Sequence, residues 1–373
     1  MDFKNKKIAV VSSTMSMPVC FLVPHIKFMI DHGAAVDVFA NQAGYDCSPL
    51  ERLENCKLYN VQFSRSPLSI KNISGYKLLK KYFKHTNYDL VYCQQPVGGV
   101  MGRMIAKKFK IPCIYTAHGF HFFQGNSKIK NLIFRTIEKH YSKYTDALVT
   151  INQEDYNAAQ KFKAKKVYKI NGIGVDLSKY KVNMALNKSE FKKSLGLNED
   201  DFVITSIGEL NENKNTLRLI EVMAQISEPK IKYLICGQGP LKDKYEESIK
   251  KHGLENRVKL LGFRTDIPDI LTITDLYIMP SYREGLSKSM MEAMCYGLPI
   301  VASKIRGNVD LVGENEGGIL CTTIDNQAYA DAITQMYSDK TLAKSMGKRN
   351  KEFIKNFDIN VVLQQMEEIY KEM

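Results

Sequence analysis

The stretch Pro280-Ser281-Tyr282-Arg283-Glu284-Gly285-Leu286-Ser287, continued by Met291-Glu292-Ala293-Met294-Cys295-Tyr296-Gly297-Leu298-Pro299-Ile300-Val301-Ala302-Ser303, decides the fold. It predicts a buried strand over Leu276 to Met279, a polar turn, a helix opening near Ser287 and stopping at Gly297, and a second apolar strand after Pro299. A strand-loop-helix-strand unit aims the helix N-terminus, with its free N–H groups and positive dipole end, at whatever lies beyond the strand's carboxyl edge. A phosphate group suits that position. Two carboxylates bracket the point: Glu284 in the turn and Glu292 eight positions later, about 12 Å away at helical rise. A nucleoside diphosphate sugar fits the spacing, its diphosphate at the helix start and its hydroxyl-rich sugar and ribose donating to the two carboxylates.

Outward from this unit the chain repeats one grammar. Ile8–Val11, Val36–Ala40, Leu90–Cys93, Ile111–Tyr115 and Ala147–Ile151 read as strands separated mostly by amphipathic helical patterns. Phe202–Ile207, Ile231–Cys236, Val258–Leu261, Leu276–Met279 and Ile300–Ala302 do the same in the second half, with helices over Leu217–Ile226 and Leu241–His252. Alternation of this kind argues α/β architecture with parallel, doubly wound sheets whose ligand faces lie at the strands' carboxyl ends. A chain of 373 residues is too long for one ordinary core. The glycines of Ile170-Asn171-Gly172-Ile173-Gly174 suit a linker. The expected division is 1–180, 181–355 and a terminal helical segment, 356–373.

With its P-S-x-x-E-G-L frame and the following G-L-P-I-V-A-S, the Glu284/Glu292 pair resembles the E-x7-E motif of the retaining glycosyltransferases of family 4. The resemblance implies the GT-B fold: two Rossmann-like domains facing across a cleft, the first binding acceptor and the second nucleotide sugar, with a C-terminal helix crossing back to the first. It implies that Glu284 contacts the donor sugar and Glu292 the ribose, with Gly285, Leu286 and Ser287 beside them. His118, in Ala117-His118-Gly119-Phe120-His121 after a strand, is similar to the family's active-site histidine. The same context resembles enzymes of bacterial capsule and exopolysaccharide assembly.

Gly208-Glu209-Leu210-Asn211-Glu212-Asn213-Lys214-Asn215 is similar to the family's G-R-L-x-x-x-K-[GN] loop, in which Arg and Lys neutralise the donor diphosphate. Lys214 is present, but Glu209 stands at the Arg position. Arg264 or Arg283 is expected to supply the missing charge, since two phosphates beside Glu284 need more than one cation. Gly237 and Gly239 in Gly237-Gln238-Gly239-Pro240, and Phe263 beside Arg264, resemble loops against which the nucleobase packs; a tight turn before a helix is the plainer reading of the glycines. The first strand leads into Ser12-Ser13-Thr14-Met15 where many relatives carry a glycine pair. Ser13, Thr14, Met15, Phe120 and His121 are the candidates on the acceptor side, with loop core an equal reading for Phe120 and its neighbours Phe122 and Phe123. No D-x-D triplet occurs, so no metal is expected. Charge on the leaving diphosphate falls to Lys214, an arginine and the Ser287 helix end.

Net charge is +13, and it is uneven: residues 1–180 carry 27 Lys+Arg against 12 Asp+Glu, whereas the remainder carries 26 against 28. No recognition module supports nucleic acid as the partner of the basic half. An anionic membrane surface suits it, as would befit a lipid-linked acceptor. Lys77, Lys80, Lys81 and Lys84 recur at helical spacing with Leu78, Leu79, Tyr82 and Phe83 between them as apolar contacts or as core. The eight cysteines are scattered without C-x-x-C pairs and read as reduced, buried thiols. No 18-residue apolar run or signal-type segment occurs, so a cytoplasmic location is expected, with the basic half suiting a peripheral place on the inner face of the plasma membrane. The expected activity is retaining transfer of a hexose or N-acetylhexosamine from a UDP-sugar to a lipid-linked or glycan acceptor, with no cofactor beyond that substrate. Two other readings share the architecture: a UDP-N-acetylglucosamine 2-epimerase-like isomerase and a non-catalytic nucleotide-sugar-binding protein.

Overall fold

A computed structural model describes residues 2–67, 69–313 and 316–373. The chain forms two compact units, the first built from Met1–Gly174 together with Ile359–Met373 and the second from Val175–Asp358. Among the described residues, the first unit holds a seven-stranded parallel sheet: β1 (Lys7–Thr14), β2 (Ala35–Asn41), β3 (Cys56–Asn60), β4 (Leu90–Gln94), β5 (Cys113–Ala117), β6 (Ala147–Thr150) and β7 (Lys166–Lys169). The spatial order is β3-β2-β1-β4-β5-β6-β7, so the connection reverses direction between β1 and β4. Residues Ile8–Val11 have no exposed surface, as expected of a central strand covered on both faces. The edge strands β3 and β7 do not appear in the apolar pattern, because Cys-Lys-Leu-Tyr-Asn and Lys-Val-Tyr-Lys are only partly covered and carry charge outward. β5 starts two residues later than its apolar run, after Pro112, which has no N–H to give to a ladder. The strand therefore runs through Thr116 and Ala117 and delivers His118 directly at its carboxyl end.

Around this sheet lie α1 (Val23–Asp31), α2 (Ser48–Glu51), α3 (Lys71–His85), α4 (Pro96–Phe109), α5 (Lys128–Ser142) and α6 (Gln153–Ala159). In α3, Leu79 and Phe83 are buried in the unit's core, and Leu78 and Tyr82 pack against it. The lysines of α3 thus cover a core-facing helix, and its interleaved apolar residues are not available to a membrane.

The second unit places β8 (Phe202–Ile207), β9 (Ile231–Cys236), β10 (Val258–Gly262), β11 (Leu276–Met279), β12 (Ile300–Ser303) and β13 (Gly318–Cys321) in the order β10-β9-β8-β11-β12-β13, all parallel. Its helices are α7 (Lys188–Ser194), α8 (Thr216–Gln225), α9 (Lys242–Lys251), α10 (Ile267–Ile273), α11 (Lys288–Cys295), α12 (Asn308–Val312), α13 (Asn326–Ser338) and α14 (Lys340–Phe353). Here the reversal falls between β8 and β11. Crevices for ligands form at such points, outside the carboxyl ends of the strands.

The last helix, α15 (Ile359–Lys371), belongs to the first unit. Tyr370 meets the Phe3 ring edge-on at 4.9 Å and the Tyr92 ring at 6.3 Å, and the Gln365 side chain accepts the Asn171 N–H at 3.0 Å. Glu372 accepts from Lys166 and Tyr168 of β7 at 2.5 and 2.7 Å.

Candidate functional site

In the second unit, the loops after β8 and β11 flank the reversal point and clasp each other. Asn213 donates to the Arg283 carbonyl at 3.0 Å, and its own carbonyl accepts the Tyr282 N–H at 2.8 Å. Asn215, in the left-handed region at φ 53°, donates to the Pro280 carbonyl at 3.1 Å. Within this clasp Lys214 Nζ donates to Glu284 Oε1 at 2.7 Å, with side chains 23% and 13% exposed. The two residues expected to meet a phosphate and a sugar therefore hold each other. Pairing keeps each charge compensated, which a partly buried ion requires.

Ser287 caps α11 by accepting the Met290 N–H at 3.3 Å, so the helix begins where its sequence predicts. Glu292 lies on the same helix, where Tyr180 donates to it at 2.6 Å and Lys288 approaches to 3.7 Å. Burial raises the Glu292 pKa, an effect that Tyr180 and Lys288 oppose. A carboxylate so held has a strong motive to accept further hydroxyl donors.

Glu209 is exposed and accepts from Asn211 at 2.9 Å. Of the two arginines expected to replace the missing cation, Arg264 is held by Asp266, to which Nε donates at 2.7 Å. The sequence reading passed over Arg306, which is 6% exposed and donates through Nε to the Glu284 carbonyl at 3.3 Å. Desolvation and then the nearby Arg306 lower the Arg283 pKa, which marks two guanidinium groups in one neighbourhood. The available signal was a basic loop, Lys304-Ile305-Arg306-Gly307, directly after a buried strand. Gly307 lets that loop come close: at φ 80°, a Cβ there would sit 2.3 Å from the Gly285 carbonyl oxygen.

Leu286 and Gly285 lie half-buried in the same loop. The Gly208 N–H donates to the Cys236 carbonyl at 2.9 Å, the Gly237 N–H donates to the Gly262 carbonyl at 2.8 Å, and a Cβ on Gly237 would meet the Gly208 oxygen at 1.8 Å. Gly239 packs equally tightly on Leu210. Packing between loops accounts for these glycines without a ligand. Phe263 is 71% exposed beside them, an aromatic face open at the strand ends.

In the first unit, His118 leaves β5 half-buried and donates through Nε2 to Gln94 Oε1, the last residue of β4, at 2.5 Å. Among the described residues, His118 Nδ1 and Gln94 Nε2 are buried and meet no hydrogen-bond partner. Burial, and then the neighbouring His25, push the His118 pKa down to about 3, so the imidazole is neutral. His25 itself is fully buried, its Nε2 is 2.9 Å from the Ile173 carbonyl, and its pKa is lowered by burial. Neither Gln94 nor His25 was singled out by sequence; no motif marks them, and topology alone brings them to His118.

The other acceptor-side candidates divide. Gln95 Oε1 accepts the Ser13 and Thr14 N–H groups at 3.1 and 3.3 Å, and Met15 is completely buried. Phe120 is 2% exposed and stacks on Phe122 at 4.8 Å, which makes it core. His121 lies against Phe134, ring centres 5.3 Å apart. Among the described residues, no group of three or more His, Cys, Asp or Glu is placed to hold a metal ion.

Comparison with known proteins bears on the family and the fold. Residues 7–152 match the family described as glycosyl transferase 4-like, and residues 187–353 match glycosyl transferases group 1. The chain is 34% identical to the UDP-Gal:alpha-D-GlcNAc-diphosphoundecaprenol alpha-1,3-galactosyltransferase of Escherichia coli, covering 81% of this chain and 79% of that one. It is 31% identical to EpsD of Bacillus subtilis, which bears a glycosyltransferase name, over 94% and 92% of the two chains. The Anabaena protein Alr3699/HepE, crystallised with UDP, superposes with a TM-score of 0.81 at 22% identity over 99% and 100% of the chains.

Proposed function

Because the chain belongs to the glycosyltransferases, with a 4-like first half and a group 1 second half on the GT-B fold, we propose that it transfers a hexose or N-acetylhexosamine from a UDP-sugar to a lipid-linked acceptor. The reaction proceeds with retention and belongs to the assembly of a surface polysaccharide. The observation that carries this reading is the Lys214–Glu284 pair at 2.7 Å, set beside two arginines and the capped start of α11.

A donor diphosphate entering there draws Lys214 away from Glu284 and places its charge on Lys214, Arg283, Arg306 and the first amides of α11. Released from the lysine, Glu284 accepts sugar hydroxyls, while Glu292 accepts from the ribose and Phe263 lies against the base. As the anomeric C–O bond loosens, negative charge grows on the diphosphate and positive character on the sugar. Once the donor is bound, these cations and carboxylates stabilise both without moving further. His118, neutral and with Nδ1 open, accepts a hydroxyl proton in a hydrogen bond rather than supplying charge. The acceptor hydroxyl attacks on the face that the diphosphate leaves, and the departing phosphate oxygen takes its proton. The E. coli relative, named for a UDP-Gal donor and a diphosphoundecaprenol acceptor, supports both substrate classes.

Incubation with UDP-glucose, UDP-galactose and their N-acetyl forms, without acceptor, tests the reading. Slow release of UDP is expected, and transfer once a polyprenyl-diphosphate sugar is added. Epimerised UDP-sugar, or binding without turnover in either condition, would refute it. Because cationic side chains serve the leaving group, EDTA should leave turnover within about twofold; activity lost in EDTA and restored by Mn²⁺ would overturn the metal-free mechanism.

A further inference from the structure

Every large apolar side chain that the first unit exposes, among the described residues, lies at the start of two helices. Ile70 and Ile73 are 80% and 59% exposed where α3 begins, and Ile129, Leu132 and Ile133 are 72%, 68% and 52% exposed in the first turns of α5. The three residues of α5 stand at i, i+3 and i+4, which puts them on one stripe. The α3 entry lies against the middle of α5, one turn past the stripe, because Pro67 and Asn72 of the one and Phe134 and Ile137 of the other line one cavity of about 250 Å³. Val97, Val100 and Met101 of α4 complete its apolar wall. Burial in the unit's own core does not explain the stripe: only Glu138 and Ser142, at the far end, are buried in α5.

The exposed charge on the two helices has one sign. Lys71, Lys77, Lys128, Lys130, Arg135 and Lys139 are exposed on the two helices, and the single acid that either helix contains, Glu138, is buried and paired with Arg103 at 2.9 Å. A folded soluble surface seldom gathers branched aliphatic residues within such a basic rim unless something covers them. Apolar residues in the acyl boundary with cations at the phosphates are the arrangement of an interfacial helix.

We infer that the first turns of α3 and α5 are where this protein rests on an anionic phospholipid leaflet. Ile129, Leu132 and Ile133 enter the acyl boundary while the surrounding lysines meet the headgroups. The contact differs from the lysine-rich later turns of α3, whose apolar residues belong to the core. This inference rests on the reading that the acceptor is lipid-linked, and the test separates the two.

The chain contains no tryptophan, so Leu132→Trp introduces a single reporter, and Ile324→Trp, at a site 68% exposed in the second unit, is its control. With phosphatidylglycerol vesicles at low salt, emission of Leu132→Trp should shift to the blue and be quenched by brominated chains. That of Ile324→Trp should do neither. The triple variant I129S/L132S/I133S should lose about tenfold in the fraction that sediments with the vesicles while releasing UDP from UDP-sugar at the wild-type rate. If wild type sediments but Leu132→Trp emission is unchanged, the contact lies elsewhere and this inference fails while the membrane reading stands. If wild type does not sediment, the membrane reading falls with it. Equal binding to phosphatidylcholine vesicles, or a blue shift that follows protein concentration without vesicles, would overturn the anionic leaflet in favour of uncharged lipid or a second copy.

Discussion

The two units put their candidate site residues at similar places in the same kind of sheet and fill them with opposite chemistry. At the reversal between β8 and β11 the second unit assembles ions: Lys214 on Glu284, Arg306 on the Glu284 backbone, Arg283 close by, and Glu292 under Tyr180. Beside the reversal between β1 and β4 the first unit assembles neutral polar groups: His118 on Gln94, His25 on the Ile173 carbonyl, and Gln95 on the Ser13 and Thr14 amides. On the proposed function, the ionic site changes partners when a charged ligand arrives. The other is organised to stay uncharged.

Substitution at Lys214 should produce the largest effect. Lys214→Ala removes the cation opposite the leaving diphosphate and strands Glu284, so kcat should fall about a hundred- to a thousandfold, and Lys214→Arg should recover part of it. Steady-state turnover of the UDP-sugar measures this. If Lys214→Ala retained normal kcat, the second unit's ion pair would be a structural tie and the contrast would collapse.

His118→Ala should lower kcat about ten- to a thousandfold with folding largely kept, as for one preorganised polar contact. With its pKa held near 3 by burial and His25, His118 should contribute no titration to the kcat profile between pH 5 and 8. A break near pH 6.5 that disappears in His118→Ala would show a charged imidazole and erase the difference between the sites.

Glu292→Gln should weaken UDP itself by about tenfold, the value of one charge-assisted hydrogen bond. Glu284→Gln should leave UDP nearly unchanged and weaken the sugar-dependent part of binding. Isothermal titration with UDP and with UDP-sugar separates them, and equal UDP affinity for wild type and Glu292→Gln would remove the ribose assignment.

The smallest expected effect is thermodynamic. The unfolded chain takes up protons on His25 and His118 near pH 6.5, whereas the folded chain refuses them because both pKa values are lowered. Their stabilising share is therefore complete above that pH and is lost as pH falls, down to about 3 for His118. Between pH 7.5 and 5.5 the loss through His118 should be about 1 kcal/mol. Urea unfolding of wild type and His118→Asn at the two pH values reads it, and an equal fall in both proteins would assign the effect to other groups.

The contrast also governs what the sequence could disclose. Ions at the second site come from contiguous segments with a strict spacing, so β11, the Ser287 cap, Glu284, Glu292 and Lys214 are all legible. Arg306 was not, because its partner is a backbone carbonyl 22 positions away, and the pairing of Arg264 with Asp266 depends on side-chain orientation that spacing does not fix. At the first site only His118 carries a motif. Gln94 and His25 reach it through the sheet order, and the burial of Phe120 against Phe122 is settled by packing rather than by residue type. The strands β3 and β7 escaped for a related reason: an edge strand needs no continuous apolar run.

The position of α15 has a temporal meaning. Domains fold as units while a chain emerges at about 5–20 residues per second, yet the first unit lacks a piece until Ile359–Lys371 has been made. Val175–Asp358, although encoded later than most of the first unit, is synthesised in full before that piece exists. Until then Phe3, Tyr92 and the β7 edge wait without Tyr370 and Glu372. The codons for Ile359–Met373 therefore act as a completion signal, and a ribosome that stops short of them releases a finished second unit attached to an unfinished first.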